Sequence, residues 1–280
     1  MVIVDSQVHI WGANTPERPW PARQAVKAQR DIPLGKDELL REMDAAGVNR
    51  VVIVPPSWEG ERNDLAIAAA QAHPDRFAIM GRINPELPES RGRMAAWRRQ
   101  PGMLGVRFVF HRSPLLELLT EGKADWLWPE AEAAGVPVYM LVPHVHLHFV
   151  EKIAQRHPKL KLTMDHSGLV DGKDDEAFRQ FDKLLALAKH PNVATKVSCF
   201  PFFTTDNYPF KKLHPRIRQV YDAFGPKRMF WGTDLSRLPC SYRQCVTLFT
   251  EELPWLKGQD LEYVMGRGVC EWLGWKAGTA

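Results

Sequence analysis

Apolar positions along the chain alternate between two patterns. Short runs rich in β-branched and aromatic residues are each followed by a longer stretch in which apolar residues recur at helical spacing. Eight short runs are read as strands: Val2 to His9, Arg50 to Val54, Phe77 to Ile83, Leu104 to Phe110, Pro137 to Val142, Leu160 to Asp165, Val193 to Ser198 and Met229 to Gly232. Helical patterns lie between them at Lys36 to Ala46, Asp64 to His73, Ala124 to Ala134, Glu176 to Lys189 and Pro215 to Phe224. Gly47, Gly135 and Gly225 stand at C-cap positions, with Pro137 and Pro226 just beyond. Eight β-α repeats in 280 residues predict an α/β fold, a (β/α)8 TIM barrel forming one domain over residues 1–280. An open doubly wound sheet is the alternative that the same alternation permits.

Period-2 alternation in the first strand is expected to put Asp5, Gln7 and His9 on one face, delivering three polar groups to one end of the barrel. Two irregular segments exceed an ordinary connection. Residues 12–33, rich in proline and basic residues and holding Trp20, follow strand one, and the aromatic segment 199–213 follows strand seven. Both leave the C-terminal ends of strands, the active face of such a barrel, so they are expected to wall the pocket. Packing onto the barrel rim is the competing role for Trp20, Phe200, Phe202 and Phe203.

Hydrophobic residues make up 45% of the chain and charged ones 25%, enough for a large core. The net charge of +4 is spread without a basic run suited to tracking phosphates, so nucleic acid is not an expected partner. No apolar run approaches the ~20 residues needed to span a membrane. Cys199, Cys240, Cys245 and Cys270 form no CxxC pair, and Asp5 interrupts what would have to be a secretion signal, so reduced thiols in the cytoplasm are expected. A homo-oligomer is left open.

Polar residues at two further strand ends carry candidate chemistry. Asp165-His166-Ser167-Gly168 closes strand six, and Trp231-Gly232-Thr233-Asp234 closes strand eight with an acid at the equivalent height. With His9 on strand one and Phe224-Gly225-Pro226-Lys227-Arg228 before strand eight, these motifs resemble the amidohydrolase superfamily, amidohydrolase-2 type, over essentially the whole chain. That resemblance implies a (β/α)8 barrel hydrolase in which a His-x-His pair, a fifth-strand histidine and the last-strand aspartate hold a divalent metal. Here Gln7 replaces the first histidine, and strand five reads Val138-Tyr139-Met140-Leu141-Val142. A carboxamide is a weak metal ligand beside imidazole. His144, His146 and His148 come only past Pro143, at the start of the next helical pattern, where surface or capping roles are expected.

The chain accordingly resembles most closely the metal-independent lactonase branch, the 2-pyrone-4,6-dicarboxylate lactonase and sugar lactonase group, whose first-strand motif often ends in tryptophan, as Trp11 does. The resemblance implies no cofactor and no metal. It makes Asp234 the general base towards water, with His9 and His166 polarising the lactone carbonyl. Gln7 departs from this group as well.

Ester or lactone hydrolysis needs a base within reach of water and donors aimed at the developing oxyanion, which His9, His166 and the Gln7 amide can supply. Arg107 interrupts an apolar strand and requires an anionic partner, either a substrate carboxylate or a protein acid. Arg82 and His111 are further candidates for clamping an anionic small-molecule substrate, whereas for Lys196 a structural ion pair is the default. Trp11 and Tyr139 complete the candidate substrate contacts, and Trp58 offers ring stacking or core packing. A metal-dependent decarboxylase or hydrolase using His9, His166 and Asp234, and an inactive binding barrel, are the alternatives.

Overall fold

A computed structural model of the chain describes residues 1–22 and 27–276. Eight strands, each parallel to the next, follow one another around a sheet in chain order. They are β1 (Val4–Val8), β2 (Arg50–Ile53), β3 (Phe77–Gly81), β4 (Met103–Val109), β5 (Val138–Leu141), β6 (Leu162–Met164), β7 (Val193–Ser198) and β8 (Met229–Gly232). Sequential order with helical crossovers is the (β/α)8 barrel, not the doubly wound sheet, which would require a reversal of strand order.

The crossovers contain α1 (Lys36–Ala46), α2 (Asp64–Ala72), α3 (Leu115–Thr120), α4 (Leu127–Ala134), α5 (Leu147–Arg156), α6 (Asp174–Ala177), α7 (Phe181–Ala186) and α8 (His214–Phe224). Beyond β8 come α9 (Tyr242–Thr250), α10 (Gly258–Glu262) and α11 (Gly268–Leu273). Helix α1 shows why these segments form. Leu39, Met43 and Ala46 recur on one buried face, and Gly47 ends the helix in the left-handed conformation, φ 79°, with its N–H on the Asp44 carbonyl. Burial of each large side chain of this kind contributes roughly 1.5–3 kcal/mol. The helix expected over 176–189 is broken instead, because Phe178 leaves the helical path and packs edge-on against Phe181 and Phe200. The crossover between β3 and β4 uses only 3-10 segments, Pro88–Ser90 and Arg93–Arg99. Among the described residues, no helix is long and apolar enough to cross a membrane.

Two apolar layers result. The larger lies between strands and helices, while the barrel interior is filled at its lower end by Val4, Val52, Met80, Tyr139, Ala194 and Phe230. Val269 and Leu273 of α11 pack against this inner cluster from below. The upper interior is polar and holds Gln7, Lys196 and Asp165, all fully buried.

The first and last strands meet at a seam held largely by side chains. Asp5 Oδ1 accepts the Thr233 N–H at 2.9 Å and the Gln7 N–H at 3.0 Å, while Oδ2 accepts the Thr233 hydroxyl at 2.5 Å and the Tyr242 hydroxyl of α9 at 2.9 Å. Ser6 Oγ donates to the Trp231 carbonyl at 2.7 Å, and the Asp234 N–H donates to the Gln7 carbonyl at 2.8 Å. This arrangement corrects the expected alternation in β1. Asp5 pairs with Val51 and Val8 with Ile53, so three steps along β1 oppose two along β2. The extra residue is a bulge. Asp5 is turned towards α9 and the seam, whereas Gln7 stays with Lys196 inside the barrel.

Burial pushes the Asp5 carboxyl up to about 6, against the pull of its hydrogen bonds from Thr233, Gln7 and Tyr242. Because the folded-state value is raised, the fold gains from protonation of this group below the unfolded value near 4; that pH-linked part alone is lost as the pH rises through about 6, and the hydrogen bonds from the four donors persist above it. Replacement of Asp5 by Ala would leave four donors without their acceptor. The expected loss is about 3 kcal/mol or more in urea unfolding at pH 7. A loss under about 1 kcal/mol, less than a single buried donor left unpaired, would show that the seam closes without this carboxylate.

Candidate active site

The polar residues of the barrel mouth are aimed by abrupt ends to three strands. His166 and Ser167 after β6 (φ 50° and 54°), Cys199 after β7 (φ 61°) and Asp234 after β8 (φ 55°) all adopt the left-handed region. That conformation is costly for residues with a Cβ and concentrates at functional sites. His9, immediately beyond β1, meets the other two. Its Nε2 stands 3.2 Å from Asp234 Oδ1, and His166 Nε2 stands 3.7 Å from Asp234 Oδ2.

Each imidazole is fixed at its far nitrogen. His9 Nδ1 lies 2.5 Å from the Val54 carbonyl, an acceptor only, so Nδ1 carries a proton. Its Nε2 is thereby turned towards Asp234 Oδ1 and the Gln7 amide nitrogen, 3.5 Å away. His166 Nδ1 pairs with Ser198 Oγ at 2.8 Å. Burial drives His166 down to about 4, overcoming the opposing carboxylates of Asp234 and Asp165, so the ring is neutral at pH 7. Burial alone would raise Asp234, but His9 beside it, followed by His166 and Arg237, holds its carboxyl well below the usual range. Asp234 is therefore an anion throughout the physiological window.

Behind this group lies a buried charge cluster. Lys196 Nζ bonds Gln7 Oε1 at 2.5 Å, pairs with Asp165 Oδ1 at 2.7 Å and sits 3.8 Å from the Tyr139 ring centroid. Arg107 Nε donates to Asp165 Oδ2 at 2.9 Å. Burial lowers Lys196 to about 8 despite Asp165. Asp165 is penalised by its own burial, yet Lys196 and Arg107 hold it below the normal carboxylate range. Two cations thus share one carboxylate in a medium where an unpaired charge is costly.

A cavity of about 810 Å³, open to solvent, lies above His9, His166 and Asp234. Arg107 and His111 are in its wall, together with Trp58, Arg112, Asp171 and Arg237. His111 Nδ1 is buried without a partner, and burial, then Arg112 and Arg107, push this ring down to about 4. Arg112, Asp171 and Arg237 carry no strand-end pattern that marks them in the sequence. They lie beyond strand ends in irregular segments, and the arginine at 237, three residues past the Asp234 motif, was the available signal.

Four candidates stand outside the cavity lining. Gln7 lies directly behind His9, its amide nitrogen 3.5 Å from His9 Nε2 and its carboxamide oxygen committed to Lys196. Arg82 is drawn away by Glu61 at 3.0 Å and the Gly60 carbonyl at 3.0 Å. Trp11 is core, edge-on to Trp58, and Tyr139 belongs to the apolar floor. The side chains of Phe200 and Phe203 are fully buried, so their segment packs rather than lines, although Arg237 lies over the half-buried Phe202 ring at 4.2 Å. Gln29 brings the 12–33 loop to the cavity, while residues 23–26 of that loop lie outside the described residues. His144 bonds the Ser167 carbonyl at 2.8 Å, and His146 and His148 pack near Phe149 on α5.

A barrel with this constellation can be set against known proteins. Residues 4–266 match the family model described as amidohydrolase. The chain belongs to the amidohydrolase family. It is 25% identical over 247 residues to an L-fucono-1,5-lactonase of Burkholderia ambifaria, covering 84% of this chain and 81% of the relative. An amidohydrolase from Burkholderia multivorans with bound zinc superposes with a TM-score of 0.81 at 20% identity, over 98% of this chain and 99% of the other. A probable 2-pyrone-4,6-dicarboxylic acid hydrolase from Acinetobacter baumannii, bound to citric acid, gives 0.79 at 17% identity, over 98% and 100%. Family membership makes this chain a hydrolase.

The metal that many amidohydrolases bind finds a poor donor set here. The carboxamide oxygen of Gln7 is taken by the Lys196 ammonium, whose charge opposes a neighbouring dication, and strand five ends in Leu141 and Val142. Among the described residues, no group of three or more His, Cys, Asp or Glu side chains is arranged to hold a metal ion.

The lowered value of His166 has a measurable sign. A group depressed on folding stabilises the fold above its unfolded value, near 6.5, and loses that contribution as the pH falls through about 4. Nitrogen NMR shifts of His166 in this amidohydrolase should remain those of a neutral ring down to about pH 5. A titration midpoint near 6.5 would contradict the buried, desolvated environment.

Proposed function

We propose that this amidohydrolase opens a lactone, or a similarly activated ester, of a small carboxylated molecule by water attack, with Asp234 as general base. The observation that carries the reading is the Asp234 carboxylate itself, held between two imidazoles on the floor of an arginine-rimmed cavity. A carboxylate kept so acidic is a weak base, and it draws a proton from water only as that water bonds to a strongly electrophilic carbon. Lactone carbonyls meet that requirement far better than amides. The B. ambifaria lactonase and the A. baumannii hydrolase support the same choice of substrate chemistry.

In this reading Asp234 receives the water proton, and the Nε2 edge of His9 beside it faces the carbonyl oxygen on which charge develops. His166, neutral and held by Ser198, orients the water or substrate. Arg112 and Arg237 face the substrate carboxylate, and Arg107 adds its charge to the wall while anchored to Asp165. The chain's own residues supply every step, and Lys196 keeps a cation near the pocket floor.

Asp234→Asn keeps the shape and removes the basic oxygen. It should lower kcat by about 10² to 10⁴-fold on the best substrate of a lactone panel while leaving KM within a fewfold. Retention of more than about a tenth of kcat, less than the smallest loss expected for a general base, would sink the mechanism. The wild-type kcat/KM should hold on the acid side until the pH is below the ordinary carboxylate value near 4, following the lowered Asp234.

Activity is also expected to survive exhaustive dialysis against a chelator. Loss on chelation, with recovery on adding zinc, would replace this reading with a metal-dependent one. Arg237→Met should raise KM for carboxylated lactones by about 10-fold or more, the equivalent of a charge-assisted contact, and leave uncharged lactones unaffected.

A further inference from the structure

Two thiols meet beside the segment that leaves the active site. Cys240 Sγ and Cys245 Sγ lie 3.6 Å apart. Cys240 is half-buried, just before the Ser241 cap of α9, and Cys245 is buried within that helix. Cys240 also lines a second open cavity, of about 920 Å³, with Thr205, Tyr208, Phe210 and Gln244. A small oxidant can therefore reach one sulfur while the other waits behind it.

The Cys245 thiol beside Cys240 holds the latter below an ordinary thiol, and the same contact, with burial, pushes Cys245 well up. The accessible sulfur is consequently the one that more readily becomes a thiolate, the form that reacts with peroxides. Cys199 is fully buried, and Cys270 belongs to the floor of the barrel.

We propose that Cys240 and Cys245 form a reversible redox site, with a hydroperoxide as oxidant. The Cys240 thiolate attacks a peroxide oxygen, the O–O bond breaks, and Cys240 becomes a sulfenic acid as the peroxide is reduced, water being released when the oxidant is hydrogen peroxide. The Cys245 sulfur then attacks the Cys240 sulfur, the S–O bond breaks, and a disulfide forms as water leaves. Two thiols have lost two electrons and two protons, and the peroxide has taken them up. The sulfurs need only close from 3.6 Å to about 2.05 Å. Residues 235–239, which carry Arg237, run from Asp234 directly to Cys240. The new bond ties the far end of that segment to α9 and stiffens it.

The test uses the reduced 280-residue protein treated with hydrogen peroxide. Trypsin cuts after Arg243, between the two cysteines, so a cross-link joins two peptides and is read directly by mass spectrometry. The expected product is one Cys240–Cys245 bond, lighter by two hydrogens and reversed by dithiothreitol. It should be absent in Cys240→Ser and retained in Cys270→Ser. Amide exchange across residues 235–239 should slow by about tenfold in the oxidised protein. Oxidation of Cys240 to a sulfinic acid without a cross-link, a bond from Cys240 to Cys199, or unchanged exchange in the cross-linked protein would each overturn the proposal.

Discussion

Closure of the barrel between β1 and β8 is the constraint on which the rest depends, and a single carboxylate carries much of it. Asp5 joins the first strand to Thr233 of the last and to Tyr242 of α9. The bulge that frees Asp5 for this task also restores Gln7 to the barrel interior. Two residues beyond Gln7 the chain presents His9, and one residue beyond Thr233 it presents Asp234. The pairing of His9 with Asp234 is therefore a by-product of the seam, since the same hydrogen bonds that close the sheet set the separation of imidazole and carboxylate.

A second constraint is electrical. Lys196, Asp165 and Arg107 form an ion cluster in the upper barrel, where an apolar filling would be cheaper in desolvation. What the cluster gives is position. Arg107 is held in the cavity wall by its Nε bond, and Asp165 precedes the left-handed turn that aims His166. Lys196 occupies the carboxamide of Gln7, so the first-strand residue that departs from the family pattern is not spare but bonded.

Much of this was legible in the sequence because burial imposes periodicity. The eight strands were recoverable from apolar runs, and α1 from the spacing of Leu39, Met43 and Ala46 together with Gly47. His9, His166 and Asp234 could be found because each polar residue ends an apolar run. The bulge in β1 was not legible: period-2 reasoning assumes an unbroken pleat, and the Asp5 to Gln7 hydrogen bond that breaks it is local chemistry without a hydropathy signature. That Arg82 and Tyr139 lie outside the cavity lining was not legible for a related reason, since strand position says that a side chain points inwards but not at what height. Arg112 and Arg237 lie in irregular segments, which have no period from which the direction of a side chain can be read.

The α11 helix has a consequence for the order in which this molecule can be made. Val269 and Leu273 complete an apolar floor whose other members come from β1, β2, β3, β5, β7 and β8. Until the chain has emerged past residue 273, the underside of the barrel exposes Val4, Met80 and Phe230 to water, and the strands synthesised first have no finished surface to rest on. Native contacts between β1 and α11, far apart in the sequence, give a high contact order, so folding is slow relative to helical proteins of similar size and cannot finish before α11 is available. During that interval, protection of the nascent barrel falls to whatever binds exposed apolar surface in the cell.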